Sequence, residues 1–181
     1  MSKRCILILG GARSGKSQFA QDLARRLSEQ VLLVATGEAI DEEMRSRIEE
    51  HKKFRPRTWH TLETPVEIGK MIPGRISNAE VVLIDCITLL ISNLLVGEGN
   101  DRYKEERVTA EINQLIECID KLEATFIIVS NEVGSGLVPE NRLGRFYRDL
   151  LGRANQLLAR HADEVYAMVA GIPVAVKAPK R

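Results

Sequence analysis

Residues 5–17 read CILILGGARSGKS. An aliphatic run at 5–9 gives way to a segment, 10–17, that fits G-x-x-x-x-G-K-[ST], and the residues after it continue with helical spacing. Strand, glycine-rich turn and helix are the setting in which this motif binds phosphate. Gly10, Gly11, Ala12, Arg13, Ser14 and Gly15 offer closely spaced backbone N–H groups to phosphate oxygens, and the helix N-terminus adds its positive end. Lys16 is then placed to reach the β/γ-phosphates and Ser17 to offer its hydroxyl to Mg²⁺. A chance glycine-rich turn is the alternative, but it has no reason to stand between a strand and a helix.

Working outward, three more short runs have the same β-branched and aliphatic character: 31–35 (VLLVA), 81–85 (VVLID) and 125–130 (TFIIVS). They alternate with helical patterns at 16–29, 41–54, 64–71, 87–96 and 103–122, which is how the βα units of a parallel sheet read. Runs that are apolar throughout imply a sheet covered on both faces. After 130 comes a Gly- and Pro-containing loop, then a helix over about 141–161, and EVYAMVA and PVAVK flank Gly171 and Ile172 as a terminal hairpin. The expected fold is α/β: one P-loop NTPase domain of RecA-like type spanning 1–181, its mostly parallel sheet flanked by helices and closed by a C-terminal antiparallel hairpin. The segment GEGNDR, 97–102, reads as a mobile loop.

Composition narrows the function. Lys plus Arg number 26 against 25 Asp plus Glu, with no long run of one sign, so a broad nucleic-acid or membrane surface is disfavoured and a small-molecule partner is expected. The apolar run ITLLISNLLVG from Ile87 is broken by Ser92 and Asn93 and is too short for a membrane span. Cys5, Cys86 and Cys118 have neither disulfide nor zinc spacing and read as reduced core residues. With no targeting segment visible, a cytoplasmic location is expected.

A phosphate loop of this kind needs an acid on its magnesium side, at the end of a neighbouring strand. Asp85, closing VVLID, fits that role; it also suits a helix cap before Ile87, a compatible reading, but the metal-side role is favoured because the P-loop demands such an acid. His51 poses a second question. Asp41 as N-cap and Pro56 as terminator define a helix on which Met44, Ile48 and His51 fall at i, i+4 and i+7, so His51 shares the apolar face. It is either a packed histidine needing one hydrogen-bond partner or a functional imidazole, a nucleophile toward phosphorus or an acid/base. Lys52, Lys53, Arg55 and Arg57 follow it as a cluster of cations suited to a triphosphate. His60 and His161 have no such setting. No N-K-x-D guanine motif is present, since NEVG at Asn131 lacks its lysine and aspartate.

The stretches GGARSGKS, ATGEAIDEEMRSRIEEHKKFRPRTW, LIDCITLLISNLL and SNEVGSGLVPENRLGRFYRDLLGRANQLLARHADEVYAMVAGIPV, in that order, resemble the bifunctional adenosylcobinamide kinase/adenosylcobinamide-phosphate guanylyltransferases of cobalamin synthesis. The resemblance covers nearly the whole chain. It implies phosphorylation of adenosylcobinamide by ATP or GTP, then transfer of GMP from GTP through a GMP-histidine intermediate, for which His51 stands at the matching position. It also implies a nucleotide site made by residues 10–17, Ala35, Thr36 and Gly37, Lys52, Lys53, Phe54 and Arg55, Glu63 and Asp85, with Mg²⁺ held by Ser17 and Asp85, and a homo-oligomer, a trimer. Glu50 stands where some members carry a second histidine. Two other readings stay open: a monofunctional small-molecule P-loop kinase with a structural His51, and a RecA-like ATPase module stimulated by nucleic acid. The near-zero net charge and few aromatics disfavour the last.

Overall fold

The computed structural model describes residues 3–38, 42, 45, 46, 49, 56 and 58–178. Among these, seven strands form one sheet: β1 (Cys5–Gly10), β2 (Val31–Ala35), β3 (His60–Glu63), β4 (Val81–Asp85), β5 (Thr125–Asn131), β6 (Glu164–Val169) and β7 (Ile172–Lys177). Their order across the sheet is β3-β2-β4-β5-β1-β6-β7. All neighbouring pairs are parallel except β6 with β7, which form the antiparallel terminal hairpin. The helices are α1 (Lys16–Leu27), α2 (Ile68–Met71) running into a 3₁₀ turn (Ile72–Gly74), α3 (Ile87–Leu95), α4 (Asp101–Lys121) and α5 (Arg142–His161).

Because strand side chains alternate between faces, β1 divides its residues between two cores. Ile6 and Ile8 join Val31, Leu33, Val81, Leu83, Ile127 and Val129 under α1, which contributes Ala20 and Ala24. Cys5 and Leu7 join Leu32, Val34, Val82, Ile84, Phe126 and Ile128 beneath the other helices. Both faces are therefore covered, as the uninterrupted apolar runs predict. Cys5 and Cys118 are buried, Cys86 is half-buried, and all three are free thiols. No helix among the described residues is long and apolar enough to cross a membrane.

Several boundaries differ from the sequence reading. β3 was not expected: of its four residues only Leu62 is buried, since this edge strand has one neighbour and faces solvent. The helix expected over 64–71 begins only at Ile68. Thr64 Oγ1 donates to the Val66 carbonyl at 2.8 Å, and the helix start is capped from elsewhere: the buried Glu111 carboxylate on α4 accepts from the Glu67 and Ile68 N–H groups at 3.0 and 2.8 Å. Helix α4 starts at Asp101, earlier than 103, because Asn100 Oδ1 accepts from the Tyr103 N–H at 2.9 Å as an N-cap. The helix expected over 41–54 lies largely outside the described residues. Glu42, Arg45, Ser46 and Glu49 are helical and exposed, and their i, i+3, i+4, i+7 spacing is that of a polar face.

Helix α2 lies close against the backbone of α4. A Cβ at Gly69 would stand 2.6 Å from the Gln114 carbonyl oxygen and 2.8 Å from the Leu115 nitrogen, atoms that cannot rotate aside. Gly69→Ala is therefore expected to cost about 1–3 kcal/mol by overpacking, lowering Tm by about 3–10 °C. An unchanged melting curve would contradict this close packing.

Candidate active site

The C-terminal ends of the parallel strands share one edge, where open α/β sheets bind ligands. Register places Glu63, Ala35 and Asp85 side by side across β3, β2 and β4, with Val129 and Ile8 continuing the row across β5 and β1. The chain leaves this edge at Gly10 to form the loop, and re-enters a helix at Lys16.

The loop's shape depends on its glycines. Gly15 has φ 91°, in the region that side chains avoid. A Cβ on Gly10 would stand 2.6 Å from Ser14 Oγ and 3.0 Å from the Met168 carbonyl oxygen. Ser14 Oγ is buried and has no hydrogen-bond partner among the described residues. Lys16 is buried and its Nζ donates to the Gly11 carbonyl at 2.6 Å. Burial lowers the pKa of this ammonium, while Cys86 and Asp85 oppose the shift. The Cys86 thiol itself is pushed up to about 11, first by burial and then by Asp85, so it is neutral at physiological pH.

Asp85 faces the loop. Ser17 Oγ donates to Asp85 Oδ1 at 3.5 Å, and the N-cap position of α3 belongs to Cys86, not Asp85. Of the two roles open to this aspartate, the cap is thereby set aside. Two hard oxygen donors facing each other suit Mg²⁺, which keeps most of its shell as water and substrate phosphate. Among the described residues no cluster of three or more His, Cys, Asp or Glu side chains offers a protein-only cage. The donor set thus fits a metal completed by a nucleotide.

Thr36 proves to be a brace within ATG. Fully buried, its hydroxyl donates to the Cys86 carbonyl at 2.7 Å and accepts from the Cys86 N–H at 3.0 Å. Asn93 of α3 then donates to the Thr36 and Pro65 carbonyls at 2.8 and 3.0 Å. These bonds tie the ends of β2 and β4 to the segment after Glu63. Asn93 was missed as a site residue; its signal was a carboxamide interrupting the apolar run ITLLISNLL. Ala35 and Glu63 lie on the strand edge, with Gly37 just beyond it. His51, Lys52, Lys53, Phe54 and Arg55 lie outside the described residues.

Fold and loop together define a P-loop nucleotide-binding α/β protein. The fold is shared with a solved ATPase domain (TM-score 0.53, 15% identity, covering 91% of this chain and 69% of that one). It is shared also with a Pyrococcus horikoshii OT3 protein (TM-score 0.57, 9% identity, 98% and 87% covered). Sequence assigns the particular family: residues 6–176 match the cobinamide kinase / cobinamide phosphate guanyltransferase profile, and the chain belongs to that family. It is 44% identical over 180 residues to the bifunctional adenosylcobalamin biosynthesis protein CobU of Escherichia coli K12, covering 95% of this chain and 99% of the relative. Identity is 41% to CobU of Salmonella typhimurium, with the same coverage. To the bifunctional protein CobP of Pseudomonas aeruginosa it is 40% over 171 residues, covering 94% and 96%.

Proposed function

We propose that this protein catalyses two successive transfers in cobalamin synthesis. A nucleoside triphosphate phosphorylates the aminopropanol hydroxyl of adenosylcobinamide. GTP then gives its GMP to that phosphate, leaving adenosylcobinamide-GDP and pyrophosphate. The observation that carries the proposal is the convergence of Lys16, Ser17 and Asp85 on one sheet edge in a chain of this family.

In the first transfer the loop amides and Lys16 bind the triphosphate, while Ser17 and Asp85 are the residues that would hold Mg²⁺. The metal, when bound, neutralises charge on the phosphate oxygens. In the second, the imidazole of His51 attacks the α-phosphorus of GTP. The bond to the bridging oxygen breaks, pyrophosphate leaves, and a phosphoramidate remains. An oxygen of the corrinoid phosphate then attacks the same phosphorus and releases His51. Dividing one displacement into two gives each an in-line attacker. The reading includes a homo-oligomer, a trimer by family resemblance, working in the cytoplasm.

Incubation with GTP labelled at either the α- or the γ-phosphate tests this reading against a monofunctional kinase. Label from the α-position alone, acid-labile and alkali-stable, is expected, with one GMP on one histidine by mass spectrometry. No covalent label from either nucleotide would reduce the activity to phosphorylation.

A further inference from the structure

In the terminal hairpin, β6 buries Val165 and Met168 in the two cores, whereas residues 172–176 of β7 are exposed throughout. The turn that joins the two strands holds the phosphate loop. The Gly171 N–H donates to the Ser14 carbonyl at 3.1 Å, and on the other side of the loop the Glu132 N–H donates to the Gly10 carbonyl at 2.9 Å. A trans peptide is planar, so its C=O and N–H point in opposite directions. Anchoring the Ser14 carbonyl on the hairpin therefore turns the Gly15 N–H away from it, and anchoring the Gly10 carbonyl does the same for the Gly11 N–H. Both amides belong to the segment that cradles phosphate.

The contact is close enough to be specific. A Cβ on Gly15 would stand 3.2 Å from the Gly171 Cα, and one on Gly10 would stand 3.0 Å from Met168 Cβ. The turn itself has φ 50° at Ala170 and 84° at Gly171, positive at both central residues as a two-residue type I′ hairpin requires. A β-branched residue at 171 resists that conformation and withdraws the N–H from Ser14.

We infer that the Ala170–Gly171 turn is a positioning element of the nucleotide site, with Gly171 as the residue that orients the Ser14–Gly15 peptide before a triphosphate binds. This rests on the P-loop reading and is independent of the histidine step. Equilibrium titration of Mg-GTP and Mg-ATP, with melting curves alongside, tests it. Gly171→Val is expected to weaken both nucleotides about tenfold and to raise KM in the kinase assay more than it lowers kcat. Gly171→Asn, which accepts positive φ, keeps the affinity of the parent. Val174→Thr perturbs the same hairpin away from the loop and leaves nucleotide affinity unchanged whatever it does to Tm. If valine prevents folding, Gly171→Ala carries the test with an expected loss of about threefold. Parental affinity in the Gly171→Val variant, or in Gly171→Ala where it replaces it, overturns the inference. So does a loss in Val174→Thr equal to that at Gly171, which would make the effect one of hairpin stability. Failure of the parent protein to bind either nucleotide would instead overturn the P-loop reading beneath it.

Discussion

His51→Ala is expected to stop guanylyl transfer while phosphorylation of adenosylcobinamide continues. Removing a covalent nucleophile costs about 10⁴–10⁶ in rate when no second group can take its place. The positions of the other two histidines argue that none can. His60 opens β3, pairing with Leu32, three residues before Glu63 at the catalytic edge, or about 10 Å back along the strand. His161 closes α5, with its Nε2 3.4 Å from Asp120 Oδ1, next to the start of β6 and so at the opposite end of the sheet. In the proposed reaction phosphorylation depends on Lys16, Ser17 and Asp85, which the substitution leaves in place. The measurement is chromatographic separation of the corrinoid products from ATP plus GTP. The variant should accumulate adenosylcobinamide phosphate, whereas the parent proceeds to adenosylcobinamide-GDP. His60→Ala and His161→Ala should behave as the parent does. Formation of the GDP product by His51→Ala at the parental rate would eliminate the covalent route.

The sequence exposed those parts of the fold whose signals are local. GGARSGKS carries its own meaning because strand, turn and helix are contiguous, and four buried strands announced themselves as apolar runs. What escaped was set by contacts distant in sequence. HTLE has one buried residue and becomes β3 only because β2 offers it a free edge. The start of α2 is fixed by Glu111, more than forty residues away, against a local pattern that favoured an earlier start. Asp85 was recognisable as a strand-end acid, but its 3.5 Å approach to Ser17 Oγ and the placing of the α3 N-cap at Cys86 come from how the strand ends and α1 pack together. Asn93 and Gly171 were visible as a polar interruption and a turn glycine. Their partners, the Thr36 and Ser14 carbonyls, are brought to them by the sheet, and no spacing rule announces that.

Lys16→Met is expected to impair both transfers together, each by about 10²–10³-fold, and this common loss distinguishes a shared phosphate site from two separate ones. A methionine keeps most of the buried stem and removes the charge. The effect should therefore fall on nucleotide binding and transition-state charge, with little change in Tm. The pH dependence supplies a second signature. Burial holds the Lys16 ammonium below the ordinary lysine range, and a bound triphosphate, being anionic, stabilises its protonated form. Nucleotide affinity should then be full below the pKa of the free protein and fall as pH rises through it. Cys86, at about 11, and Tyr147, at about 12, titrate higher. In Lys16→Met this alkaline loss of affinity should disappear, leaving weak binding that is flat across the same range. An undiminished alkaline limb in the variant would assign the titration to another group. Loss of phosphorylation with guanylyl transfer intact would show that GTP reaches His51 from a site other than this loop.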